Sequence, residues 1–194
     1  MNLSEISQRL SDTITEELDY SDEKKEIVAF GLESLFLSIV GFFAILLVAF
    51  FFDALIPTAI SAVFGGLLRK VSGGAHMNTP LKCLTFGAVI YSTLGVITQK
   101  LIQHNLYNFH IAFILLFMSL LIVAFLAPVD CEAKPIISQK LKKNLKIISV
   151  GFVTFAIAVI FFCNNQLLNT SVVLGIGYQT LTLLPVFNKK KKEG

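Results

Sequence analysis

Apolar residues in this chain run in long blocks separated by short polar interruptions. Residues 27–52, 81–98, 107–126, 145–163 and 167–186 are each almost continuously apolar, and a shorter block covers 54–68. Blocks of about 18 or more apolar residues are transmembrane-helix candidates. The pattern predicts an all-α, polytopic membrane helical bundle of about six transmembrane helices. The second block contains Pro57, Gly65 and Gly66. At ~1.5 Å rise per residue it falls short of a ~30 Å hydrocarbon core, so it is either tilted in a thinned region or packed within protein. The fourth block is nearly pure Ile, Leu, Phe and Ala and should face lipid. The sixth carries Thr170, Ser171, Gly175, Gly177, Tyr178, Gln179 and Thr180, which suits the bundle interior.

Ahead of these blocks, Leu3, Ile6, Leu10, Ile14 and Leu18 recur at steps of three and four residues. This is one stripe of an N-terminal amphipathic helix. Its polar face is acidic, which disfavours adhesion to anionic lipid. It reads as a cover over the bundle or as a docking surface for a basic amphipathic peptide. The expected organisation is a cytoplasmic amphipathic helix over 1–25, a six-span membrane domain over 26–187 and a basic tail over 188–194.

Charge fixes the expected orientation. The first 26 residues carry eight acids against three bases, unlike a cleaved signal peptide, which begins basic and turns apolar quickly. With six spans, fifteen of the sixteen basic residues fall on one face, and Lys100 alone falls on the other. The positive-inside bias then puts both termini and the 69–83 interruption in the cytoplasm of a multi-pass cell-membrane protein. The lipid bilayer is the partner this composition implies, and no nucleic-acid partner is expected.

The interruption between the second and third blocks concentrates the candidate chemistry: Arg69, Lys70, Gly73, Gly74, His76, Lys82 and Cys83 lie within fifteen positions. Thr79 reads as an N-cap with Pro80 at the first helical position. Cys83 then sits in the first turn of a helix, where the dipole and the neighbouring cations favour an anionic, nucleophilic thiolate. His76 precedes it by seven residues, ~10 Å along one helix and too far for a hydrogen bond. Pro80 and the Gly73–Gly74 pair break such continuity, so a loop folding back can bring imidazole to sulfur for acyl transfer. First-turn N–H groups and the nearby cations could then stabilise an oxyanion.

His104, His110 and Cys163 belong to the opposite face, and Cys131 has no histidine near it in sequence. Three cysteines without paired spacing give no disulfide framework. A metal set of His76, Cys83, Cys131 and a carboxylate would lack any standard ligand spacing, and no metal or other cofactor is expected. Glu33, about two turns into the first span, needs a partner because a carboxylate in the membrane is costly. Arg69, Lys70 or His76 could supply one, as a structural ion pair, an orienter of His76 or a grip on a cationic group. The bland alternatives are a cysteine that only packs and a histidine that is only solvated.

Taken in order, these residues resemble the accessory gene regulator B family, membrane cysteine endopeptidases of bacterial peptide quorum sensing. The resemblance rests on Gly73-Gly74-Ala75-His76 with Cys83 seven positions on, Phe30-Gly31-Leu32-Glu33, Arg69, and Ala127-Pro128-Val129-Asp130 followed by Lys134-Pro135. Cys131 stands where a polar residue would be expected. The resemblance implies a precursor signal peptide with an amphipathic leader and an acidic C-terminal tail. Cys83 would cleave off the tail with help from His76, and the acyl-enzyme would resolve by cyclisation to a thiolactone or lactone. Arg69, Lys70 and Lys82 are then partners for the tail. The family is also associated with homodimers. The competing class is a small carrier or exporter using Glu33 and the polar sixth span without covalent chemistry, although no internal repeat of the transporter kind is evident.

Overall fold

The computed structural model describes residues 9, 12–13, 22–74, 79–129 and 138–188. Six α-helices run through them: α1 (Asp22–Phe50), α2 (Leu55–Ser72), α3 (Pro80–Gln103), α4 (Phe109–Leu126), α5 (Gln139–Phe162) and α6 (Gln166–Leu181). Five of these, α1 to α5, are long and apolar enough to cross a membrane. The fold is an all-α, polytopic helical bundle, as the apolar blocks predict. All five residues of the N-terminal amphipathic stripe lie outside the described residues, as do His76, Cys131 and the lysines of the basic tail.

The chain divides into two compact units, Met1–Ala44 and Ile45–Gly194. In the first, α1 begins at Asp22, ahead of the apolar block that predicts it. Glu33 is half-buried there, and Leu35, Ile39, Val40 and Phe43 are exposed. In the second, α2 to α6 alternate in direction, so α2, α4 and α6 end where α3 and α5 begin.

Two helix ends differ from the sequence pattern. Helix α2 continues beyond Leu68 to Ser72, so Arg69 and Lys70 are helical residues of its last turn. Cations there interact favourably with the negative end of the helix dipole. The polar interruption thereby shrinks to Gly73–Thr79. Helix α6 is only 16 residues long and stops at Leu181, giving ~24 Å of helix.

Burial separates the helices by role. Helix α4 buries only Ala112, Leu116, Ser119 and Val123, leaving most of its Phe, Leu and Ile exposed. Helix α6 buries Asn169, Thr170, Ser171, Val172, Val173, Gly175, Ile176, Gln179 and Thr180. An apolar outside and a polar inside is the arrangement a hydrocarbon solvent rewards, because polar groups need partners that lipid cannot give. Helix α2, extended to Ser72, buries one face through Pro57, Thr58, Ser61, Ala62, Gly65, Leu68 and Ser72, while Leu55, Ile56, Val63 and Leu67 stay exposed.

Small residues let α2 and α6 approach. A Cβ at Gly175 would strike the Ser61 carbonyl, and one at Gly65 would lie 2.8 Å from the Gly175 carbonyl oxygen. Ser61 Oγ crosses the interface to donate to the Ser171 carbonyl at 2.9 Å. Below this seam Leu68, Val172 and Ile176 join Leu116, Val123, Val153 and Ile160 in the apolar core.

Candidate functional site

Gly73 closes α2, its N–H donating to the Arg69 carbonyl at 3.0 Å. Its φ of 69° and the φ of 128° at Gly74 are conformations that side chains with a Cβ rarely adopt. Neighbours forbid a side chain as well. A Cβ on Gly73 would collide with the Val129 carbonyl, and one on Gly74 would lie 2.7 Å from Thr182 Oγ1. The Val129 N–H donates to the Ser72 carbonyl at 2.9 Å, giving a parallel bridge between Gly73 and Val129. The Ala127-Pro128-Val129 element therefore braces the glycine turn from the end of α4.

The other brace is Gln179 of α6, fully buried. Its Nε2 donates to the Gly73 carbonyl at 2.7 Å and to Ser72 Oγ at 3.2 Å. Its Oε1 accepts from Arg69 Nη1 at 3.5 Å. One carboxamide thus holds the arginine, the last serine of α2 and the first glycine of the turn.

Across the turn, Thr79 is the N-cap of α3, with extended backbone (φ −137°, ψ 144°) and Pro80 entering the first turn. Its Oγ1 accepts from the Lys82 N–H at 3.4 Å, and its carbonyl accepts from the Cys83 N–H at 3.1 Å. Cys83 is a free thiol, half-buried, at the capped, positive end of α3. Lys70 and Lys82 are exposed and Arg69 half-buried, so the three cations line this end of the bundle at graded depth. Tyr91 of α3 and Tyr178 of α6 meet edge to face, with ring centroids 5.5 Å apart. Arg69 and Cys83 both lie within electrostatic reach of these two rings. The structure therefore gathers Arg69, Gly73, Gly74, Cys83, Tyr91, Tyr178 and Gln179 from α2, α3 and α6.

His76 lies outside the described residues, so its position relative to Cys83 stays an expectation from the sequence. Cys131 does too, and with it most of the metal set; among the described residues no three His, Cys, Asp or Glu side chains gather as ligands would. Glu33 belongs to the first unit. His104 caps the far end of α3 and Cys163 the far end of α5, ~30 Å along the helices from Cys83. Gln179, Tyr91 and the paired role of Val129 are what sequence reasoning missed. The available signal was the expense of placing the polar side chains Tyr178 and Gln179 side by side within a membrane bundle.

These features define a polytopic membrane protein whose polar interior opens onto a charged end carrying a capped thiol. Comparison with known proteins narrows the class. The family model for accessory gene regulator B matches residues 7–183, and the chain belongs to that family. It is 26% identical to an AgrB-like protein of Clostridium perfringens strain SM101, over 96% of this chain and 93% of that one. It is 25% identical to the accessory gene regulator protein B of Staphylococcus epidermidis, over 84% and 81% of the two chains. The Staphylococcus intermedius protein of the same name is 32% identical over 64% of this chain and 63% of its own. No solved structure matches significantly.

Proposed function

We propose that this protein is an integral-membrane cysteine endopeptidase that removes the C-terminal tail of a quorum-sensing precursor peptide and promotes cyclisation of the remainder. The observation that carries the reading is Cys83, a free, half-buried thiol in the first turn of a capped helix at the cationic end of the bundle.

The Cys83 thiolate attacks the carbonyl carbon at the signal–tail junction, its proton having passed to the His76 imidazole. The tetrahedral intermediate collapses as His76 returns that proton to the departing tail amine, leaving a thioester on Cys83. A thiol or hydroxyl within the bound peptide then attacks the thioester. Its proton passes to the thiolate released from Cys83, and a thiolactone or lactone leaves. Exclusion of water from the thioester decides cyclisation over hydrolysis. Arg69, Lys70 and Lys82 are partners for the acidic tail, and Gly73 and Gly74 shape the loop that supports the oxyanion. Positive-inside bias puts this end, both termini and the loop in the cytoplasm of a bacterial cell membrane. A second copy of the chain is a further partner of this reading. Glu33 is a substrate-side or structural carboxylate in it.

Co-expression with a tagged precursor tests the proposal. Cys83→Ala and His76→Ala each abolish tail release while the protein still inserts, and normal cleavage by Cys83→Ala ends the enzyme reading. The carrier alternative, built on Glu33 and the polar sixth helix, predicts the reverse: Glu33→Gln stops transport and Cys83→Ala is silent. The buried hydroxyls of α6 favour the enzyme. Thr170, Ser171 and Thr180 donate to carbonyls of their own helix, each at 2.8 Å, instead of lining a path.

A further inference from the structure

We infer that Gln179 is a positioning residue for the Cys83–His76 reaction, setting the glycine turn from which the chain leads to His76. The inference rests on the endopeptidase reading and extends it to a side chain on the opposite helix of the interior.

Three observations carry it. Gln179 is fully buried, yet its hydrogen bonds go to another helix, with Nε2 2.7 Å from the Gly73 carbonyl oxygen and 3.2 Å from Ser72 Oγ. Buried amides in an apolar helix are costly unless their partners are specific. The groups it holds are not a generic helix end. Gly73 and Gly74 both have positive φ, and His76 follows Gly74 by two residues. Rotating the peptide between Gly73 and Gly74 would redirect the chain beyond, and this peptide's oxygen is the one Gln179 grips. Finally, the side chain lies on the Gly74 face of the turn, since a Cβ on Gly74 would meet Gln179 Nε2 at 3.2 Å.

The same carboxamide accepts from Arg69 Nη1 at 3.5 Å. That contact is longer, and the donor half of the amide is what the inference assigns to positioning. Arg69 is oriented by the acceptor half, so the substrate-side cation and the turn are set by one group.

The test measures the alkylation rate of Cys83 by iodoacetamide at neutral pH, in the full-length membrane protein with Cys131 and Cys163 replaced by serine. In that background His76→Ala is expected to slow alkylation about tenfold, because the imidazole no longer takes up the thiol proton. Gln179→Met, which keeps volume and removes both donor and acceptor, is expected to slow it by a similar factor. Combined with His76→Ala, it should add nothing. A rate unchanged by Gln179→Met while His76→Ala slows it overturns the inference. So does an equal further slowing in the His76→Ala background, which marks a general loss of packing. A rate unchanged by His76→Ala itself counts against the dyad, a separate failure. Gln179→Glu retains the acceptor for Arg69 and lacks the amide donor. It should be as slow as Gln179→Met, and a normal rate in Gln179→Glu would transfer the role to Arg69 and overturn the assignment.

Discussion

Helix α6 carries one buried carboxamide near each end, and the two do different work with the same chemistry. Near its start, Asn169 Nδ2 donates to the Cys163 carbonyl at 2.8 Å and to Tyr107 Oη at 3.1 Å. It ties the end of α5 to the approach to α4 with ordinary residues. Near its end, ~15 Å along the axis, Gln179 holds Arg69, Ser72 and the carbonyl of Gly73, the first of two positive-φ glycines. Asn169 finishes a helix; Gln179 arranges a turn that only glycine can make. Polar groups inside a membrane bundle are therefore not alike, and what each one grips tells structural glue from functional placement.

Mutations can break or sharpen that contrast. The largest effect falls on Cys83→Ala, expected to remove tail release completely while Asn169→Leu leaves activity per folded molecule intact; immunoblotting of a tagged precursor reads both. Gly73→Ala comes next. A Cβ there meets the Val129 carbonyl at positive φ, so it should cost about 1–3 kcal/mol from the backbone alone and more from the clash. Tail release should fall at least as far as in Gln179→Met.

The direct comparison is Gln179→Met against Asn169→Leu. Each leaves buried carbonyls without donors, so thermal unfolding in detergent should report similar losses of about 1–3 kcal/mol. Only Gln179→Met should lower cleavage per folded molecule. Equal activity losses would dissolve the distinction. The smallest effect belongs to Thr79→Ala, which removes the cap of α3. About 1 kcal/mol of stability should go with it, along with a few-fold loss of Cys83 reactivity in the same alkylation assay.

How much of this was legible beforehand follows the physics of each signal. Apolar blocks announce membrane helices because hydrocarbon thickness imposes length, and the described helices fall on those blocks. The cap of α3 was legible too, since Thr79 and Pro80 act locally and Cys83 takes its place by counting from them. The end of α2 was not: Arg69 and Lys70 look like loop residues by hydropathy, yet they suit the last turn of a helix through its dipole. Gln179 was legible only as a polar residue needing a partner. Its partners lie 106 and 107 positions away, and nothing in local periodicity encodes a contact of that range. The Ala127-Pro128-Val129 element was noticed for its composition, whereas its role depends on a backbone contact with Gly73 that composition cannot express.

The most direct measurement is mass spectrometry of the protein incubated with a precursor whose internal nucleophile is replaced by alanine. Cleavage should then stall with a peptide attached to Cys83, equal in mass to the precursor without its tail and released by hydroxylamine as a thioester would be. Tail release that proceeds with no adduct on Cys83, or with the adduct on Cys131, would contradict the account.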